Sequence, residues 1–217
     1  MLVSVVSPLR NEAPNARRLV ETLHQTLRTA GLDYEIVLVD DGSSDATWTE
    51  IETLALQGRV RGVRLSRSFG QQAAILAGLA AAGGDLVVVM DADLQDPPEL
   101  VPTLVAEQRK TGASLVLARR ASQRDVGWLK RATSRLFTAL LGRIAEHPIH
   151  RNIGDFYLLH HDLAAALLRA AEHGGPVFLR GDLGWIGSDA VAVDFDRAGR
   201  PAGRTKYDLA RMRRFAW

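Results

Sequence analysis

The 217-residue chain predicts an α/β fold: a mostly parallel sheet flanked by helices, followed by a C-terminal extension. Short runs rich in Val, Leu and Ile alternate with segments of helical period, which is the spacing of βαβ units. The runs are too continuous for half-exposed strands and fit strands buried on both faces. Hydrophobic residues make up 47% and charged residues 24%, so disordered and fibrous architectures are excluded.

The elements follow in order. Strands are expected at Leu2–Ser7, Glu35–Val39, Val60–Leu65, Leu86–Met90 and Ser114–Ala118. Helices are expected between them at Asn15–Ala30, Asp45–Leu56, Gln71–Ala82 and Pro97–Thr111. Leu19, Leu23 and Leu27 recur every four residues, as one buried helical face requires. The punctuation agrees: Gly31 follows the first helix, Ser43 and Ser44 precede the second, Gly83-Gly84 ends the third, and Pro97-Pro98 opens the fourth. After residue 120 the rhythm changes. Val126–Ala145 reads as one long amphipathic helix, with Leu129, Leu136, Leu140 and Ile144 on one side and Arg131, Ser134 and Arg135 on the other. A strand at Gly154–Leu159, a helix at Asp162–Ala171, a strand at Val191–Phe195 and a loop at Gly199–Gly203 complete the reading. No linker separates a second domain, and the chain divides into halves at 1–118 and 119–217.

Several classes of function are excluded. The absence of cysteine removes disulfides, thiolate metal sites and a cysteine nucleophile. The longest apolar runs, Ala73–Ala82 and Leu86–Met90, fall well short of the ~20 residues that span a bilayer. The start, Leu2-Val3-Ser4-Val5-Val6, lacks the basic-then-apolar order of a signal peptide, so an intracellular location is expected. Net charge is only +2, yet Arg197, Arg200, Arg204, Lys206, Arg211, Arg213 and Arg214 crowd the end against one acid, Asp208. Arg119, Arg120, Arg124, Lys130, Arg131 and Arg135 form a second basic stretch. Such stretches suit nucleic acid, an anionic membrane surface or a phosphorylated ligand. His147 and His150, and likewise His160 and His161, lack a convincing third metal ligand in the sequence. Trp128, Trp185 and Trp217 suit either a membrane interface or core packing.

Ligands of open parallel sheets bind beyond the carboxyl ends of the strands. Three acidic clusters are expected near that edge: Asp40-Asp41-Gly42-Ser43, Asp91-Ala92-Asp93 and Gly154-Asp155-Phe156. Asp91 and Asp93 directly after a buried strand concentrate negative charge that a hard divalent cation relieves, with Mg²⁺ filling its remaining shell from substrate phosphates. The plainer alternative is that they cap the helix at Pro97. Asp40 and Asp41 can accept hydrogen bonds from a base or ribose, Gly42 allowing the close turn. Their alternative is a turn with Ser43 or Ser44 as helix cap.

The stretch from Gly84 to Glu99, centred on Asp91-Ala92-Asp93-Leu94-Gln95-Asp96-Pro97-Pro98, resembles glycosyltransferase family 2 at its metal motif. It is most similar to the branch acting on polyprenyl phosphates, the dolichyl-phosphate mannosyltransferases and bactoprenol glucosyltransferases. The remaining segments keep family order: Val6-Ser7-Pro8-Leu9-Arg10-Asn11-Glu12, Val39-Asp40-Asp41-Gly42-Ser43-Ser44-Asp45, Ser66-Arg67-Ser68-Phe69-Gly70-Gln71-Gln72-Ala73-Ala74, Gly154-Asp155-Phe156 and Gly203-Arg204-Thr205-Lys206-Tyr207. The resemblance covers essentially the whole chain. Two departures stand out, Arg10 where relatives often carry an aromatic residue and Tyr157 where they often carry arginine.

What the resemblance implies is a single GT-A-type domain and an inverting, Mg²⁺- or Mn²⁺-dependent transfer of a hexose from a nucleotide diphosphate sugar to a polyprenyl phosphate at the cytoplasmic membrane face. Pro8, Asn11, Glu12, Asp40, Asp41, Gln72, Asp91 and Gln95 would bind the donor, and Asp91, Asp93 and Gln95 the metal. Gln95 could equally be a loop residue. Arg119, Arg131, Ser134, Arg135, Arg204 and Lys206 would bind the acceptor phosphate, since arginine grips phosphate oxygens in a fork. Most polar helix faces are merely solvated, and that alternative holds for the long helix. Asp155, with Asp93 and Arg131, would act at the reacting atoms. A phosphate monoester has a second pKa of ~6 and is already nucleophilic, so Asp155 is expected to orient rather than to act as base. Otherwise it pairs structurally with Arg151 or Arg180.

Two rivals remain open. Transfer to a sugar or protein hydroxyl would need Asp155 as a base. A non-catalytic module binding phosphate or nucleic acid is disfavoured by acidic clusters that repel a polyanion. The Gln-x-x-Arg-Trp motif of processive synthases and the Gly-x-Gly-x-x-Gly turn of dinucleotide oxidoreductases are both absent. Bacterial members usually continue past the Lys-Tyr segment into two membrane helices. This sequence reaches Trp217, so the expectation is either a longer natural protein or attachment to the bilayer by surface charge; self-association is left open.

Overall fold

The computed structural model describes residues 1–120, 153–172 and 189–195. Seven strands form one sheet: β1 (Leu2–Leu9), β2 (Asp33–Asp40), β3 (Val60–Arg64), β4 (Leu86–Val89), β5 (Leu115–Arg120), β6 (Ile153–His160) and β7 (Val191–Phe195), in the order β3-β2-β1-β4-β6-β5-β7. Helices α1 (Ala13–Thr29), α2 (Thr47–Ala55), α3 (Gln71–Ala81), α4 (Val101–Thr111) and α5 (His161–Glu172) cover it. All strands run parallel except β6, which is antiparallel to β4 on one side and to β5 on the other. The residue pattern of that strand carries no mark of its direction. Its reversal matters, because it brings the start of β6 to the carboxyl edge of the others.

Alternation along the strands builds two cores. Val3, Val5, Ile36, Leu38, Val88 and Phe156 face α1, α2 and α4, while Val6, Val37, Val39, Val87, Val89 and Tyr157 face α3 and α5. Leu19, Leu23 and Leu27 are fully buried, as their period requires, and each contributes about 1.5–3 kcal/mol by leaving water. At the opposite face α3 approaches the sheet through Gly78, where an added Cβ would lie 2.3 Å from Val6 Cγ1 and 3.1 Å from Val39 Cγ2.

The start signals need two corrections. Ser43 and Ser44 do not cap α2: its N-cap position is Ala46, and Thr47 donates its backbone N–H to Asp45 Oδ1. The serines turn instead toward the loop after β1. Pro97-Pro98 opens a short 3-10 turn (Pro98–Leu100), and α4 begins only at Val101, with Pro102 in its first turn. The long helix expected at 126–145 and the loop expected at 199–203 lie outside the described residues, as do His147, His150, Trp128, Trp185 and Trp217. No helix among the described residues is long and apolar enough to cross a membrane.

On an open helix, Gly→Ala stabilises by roughly 0.5–1 kcal/mol. Gly78→Ala is expected to do the reverse and cost about 1–3 kcal/mol, because the methyl must displace Val6. Urea unfolding of the two proteins decides the sign.

Candidate functional site

The carboxyl ends of β1, β2 and β4 deliver three short loops to one edge of the sheet, and the reversed β6 delivers a fourth segment there. The β4–β6 register pairs Val89 with Tyr157. Continued two residues toward the edge, it sets Asp91 opposite Asp155. Like charges facing each other across a sheet are unfavourable unless something stands between them. Here the amide of Gln71 does so, its Nε2 donating to Asp91 Oδ1 at 2.7 Å and to Asp155 Oδ2 at 2.9 Å.

Burial, followed by the charges of Asp155, Asp96 and Asp93, pushes the Asp91 carboxyl up to about 7, with Arg120 pulling partly the other way. A carboxyl so strained by its neighbours is a fitting ligand for a cation that would relieve the repulsion. Asp155 is buried, at 3% exposure, and Asp96 is fully buried and ion-paired with Arg120 at 3.3 Å. Gly154 lies against that pair: an added Cβ would sit 2.7 Å from the Arg120 guanidinium, so a side chain there would push the arginine aside.

Asp93 is half-buried and accepts the backbone N–H of Gln95 at 3.1 Å. Between them Leu94 adopts φ 57°, a left-handed conformation that folds the loop sharply back. Gln95 is buried, and its Nε2 has no hydrogen-bond partner among the described residues. The hard oxygen donors of Asp91 and Asp93 suit Mg²⁺ or Mn²⁺. Among the described residues only His160, His161 and Asp162 bring three ligand atoms within 4.8 Å of one another. The acidic cluster therefore leaves much of a cation's shell to be filled by phosphate and water. The histidine group, for which the sequence suggested no third partner, gains Asp162. It is half-buried to exposed and lies at the far end of β6, where His160 pairs with Leu86.

The two residues of Asp40-Asp41 do different work. Asp40 is fully buried; its Oδ1 accepts the Ser43 N–H at 3.0 Å, while Oδ2 accepts no hydrogen bond among the described residues and lies 3.8 Å from Arg64 Nε. A buried carboxylate oxygen without a donor is a place for a ligand's N–H or O–H. Asp41 is committed to the protein. It accepts the Ser68 hydroxyl at 2.7 Å, the Phe69 N–H at 2.7 Å and the Gly70 N–H at 3.1–3.2 Å. Gly42, at φ 62°, makes this clamp feasible, since a Cβ would lie 2.5 Å from the Arg67 carbonyl carbon and the Ser68 nitrogen.

The first loop is stitched to the second. Asn11, at φ 53°, donates its backbone N–H to Ser43 Oγ and accepts the Ser44 N–H at Oδ1, while Glu12 donates its N–H to Thr47 Oγ1. Pro8 is half-buried beside Val39, and Gln72 is half-buried in the first turn of α3. Arg119 is exposed and paired with Asp194 on β7. Arg131, Ser134, Arg135, Arg204 and Lys206 lie outside the described residues, as do Arg151 and Arg180. The sequence reading missed Gln71, Asp96 and Arg120. For Gln71 the available signal is its position one residue ahead of Gln72, in the same segment.

Residues 4–168 match the family model described as Glycosyl transferase family 2. An uncharacterized glycosyltransferase of Synechocystis sp. is 36% identical over 215 residues, 99% of this chain and 67% of that protein. The prophage bactoprenol glucosyl transferase homolog of Escherichia coli is 36% identical over 209 residues, 96% of this chain and 67% of its own length. Among solved structures, mannosyl-3-phosphoglycerate synthase from Rubrobacter xylanophilus superposes with TM-score 0.67 at 19% identity, over 100% of this chain and 70% of that one. The mannosyltransferase PcManGT from Pyrobaculum calidifontis, solved with GDP-Man and Mn²⁺, gives 0.65 at 20% identity, over 98% of this chain and 60% of that one. At these identities the likeness establishes the fold alone: the single GT-A-type α/β domain expected from the sequence.

Hydrogen bonds to a charged group are worth about 1.5–3 kcal/mol each, and stranding their donors adds to the loss. Asp41→Ala is accordingly expected to lower the unfolding free energy by about 3 kcal/mol in a denaturant titration. The same substitution at the exposed Asp33 should shift stability by less than about 1 kcal/mol.

Proposed function

The chain belongs to glycosyl transferase family 2, and on that footing we propose that it moves a hexose from a nucleotide diphosphate sugar to a polyprenyl phosphate, with inversion at the anomeric carbon. That it is a glycosyltransferase follows from the family and the named relatives. The acceptor is proposed from the bactoprenol relatives and from the basic stretches along residues 119–135 and 197–214. The observation that carries the chemistry is the mutually repelling Asp91 and Asp155 at the carboxyl edge of the sheet, with Asp93 and Asp96 alongside.

Residues 1–118 would form the donor half. Asp40 Oδ2, which accepts no hydrogen bond among the described residues, would take a donor group of the base or ribose, within a pocket that Pro8, Asn11, Glu12 and Asp41 shape from the first two loops. Gln72 and Gln95 would complete the donor side. Asp91 and Asp93, with Gln95 near them, would hold Mg²⁺ or Mn²⁺, which when bound supplies positive charge to the departing nucleoside diphosphate. Residues 119–217 would form the acceptor half, where Arg119, Arg131, Ser134, Arg135, Arg204 and Lys206 bind and orient the phosphate. The acceptor oxygen attacks the anomeric carbon as the bond to the diphosphate breaks on the opposite side. Because the phosphate monoester is mostly dianionic at neutral pH, Asp155 has no proton to remove from it and serves to orient the reacting groups. Work on a lipid phosphate would bring the protein to the cytoplasmic face of a membrane, with the basic residues favouring the anionic surface.

Release of nucleoside diphosphate, followed across a panel of sugar nucleotides with a short polyprenyl phosphate, is the direct test. Turnover is expected to vanish with EDTA and return with Mg²⁺ or Mn²⁺, and Asp91→Asn to lower kcat by about 10²–10³. Arg131→Ala is expected to raise the acceptor KM at least about tenfold. Transfer to sugar or protein hydroxyls alone, abolished by Asp155→Asn and untouched by Arg131→Ala, would overturn the acceptor assignment.

A further inference from the structure

Resting on the transferase reading, we propose that Gln71 is a positioning residue of the reaction, its side-chain amide fixing Asp155 against Asp91. An amide nitrogen carries two hydrogens, and both serve this bridge, at 2.7 Å to Asp91 and 2.9 Å to Asp155. The two acids reach the edge from neighbouring antiparallel strands, so repulsion acts to spread them. A neutral donor between them offsets that repulsion and leaves a bound cation's charge uncontested.

Gln71 is an exposed residue, yet its side chain lies over two acids rather than out in solvent. Its backbone is set from the other direction. The Phe69 and Gly70 N–H groups donate to Asp41, Gly70 turns at φ 95°, and α3 begins at Gln71 itself. Gly42 leaves the room that brings the 67–68 backbone against the second loop. A continuous line of contacts thus runs from the loop after β2, where Asp40 awaits a donor group, through Asp41 and residues 68–70 to Gln71, and from there to both acids. The donor end and the reacting end of the edge are tied by this one segment. The role deepens the transferase reading without depending on which hexose is carried.

The test uses Gln71→Met, which keeps the length and loses both donors, and Gln71→Lys, which keeps donors at similar reach and adds charge. Three quantities are measured: kcat with polyprenyl phosphate, donor KM, and Mn²⁺ affinity in the presence of nucleoside diphosphate, read from the electron paramagnetic resonance of free Mn²⁺. Gln71→Met is expected to lower kcat by about a hundredfold, the scale of a misplacement near 1 Å, while donor KM and Mn²⁺ affinity move less than about threefold. The unchanged Mn²⁺ affinity shows that this variant is folded. Gln71→Lys is expected to recover kcat to within about tenfold of the parent and to weaken Mn²⁺ binding, because its charge opposes the ion. A Gln71→Met protein with the parent's kcat, or a Gln71→Lys protein as slow as Gln71→Met, overturns the positioning role alone. A parent protein that neither turns over nor binds nucleotide in response to Mn²⁺ overturns the transferase reading instead.

Discussion

Negative charge gathered at one edge of a sheet is the constraint around which this domain is arranged. Asp91 is buried within the fields of Asp155, Asp96 and Asp93, and burial first, then those charges, pushes its carboxyl up to about 7. Each neighbour has its own restraint: Asp96 its ion pair with Arg120, Asp155 the Gln71 amide, Asp93 the Gln95 N–H. Several local features follow from holding these groups together. Gly154 leaves room for the Arg120 guanidinium beside it, and Leu94 accepts a left-handed backbone so that the loop after β4 folds back on itself. Surfaces optimised for stability alone do not concentrate acids in this way, and the arrangement reads as preparation for positive charge.

Much of this was legible in the sequence, and the physical reason is periodicity. The buried strands announce themselves as unbroken aliphatic runs, and Leu19, Leu23 and Leu27 mark the face of α1. The acid pair was legible too, because Asp91 and Asp93 stand directly after such a run. The direction of β6 was not legible: a buried strand reads the same forward and backward, and only its pairing with β4 and β5 sets the sense. Ser43 and Ser44 misled for a related reason. A serine ahead of a helix is a cap by default, yet the neighbouring β1 loop supplies Asn11 as a competing partner from 32–33 positions away. Asp41 acts through partners 27 to 29 positions distant and Gln71 through partners 20 and 84 positions distant, which no local pattern encodes.

The two members of Asp40-Asp41 show how far adjacent, identical side chains diverge once folded. They meet different surroundings, one a buried position beside Arg64 and the other a loop it must hold shut. A shared motif is therefore two assignments. Substitution at Asp41 probes architecture, and under the function proposed above substitution at Asp40 would probe recognition.

The reversed β6 also bears on how such domains diversify. Segment 121–152 joins two strands that are each fastened independently, β5 between β6 and β7, and β6 between β4 and β5. Asp155 thus owes its place along the edge to the register of β6 against β4 and β5. The carboxylates at this edge are therefore inherited with the sheet's pairing, and the geometry between them persists wherever that pairing is kept.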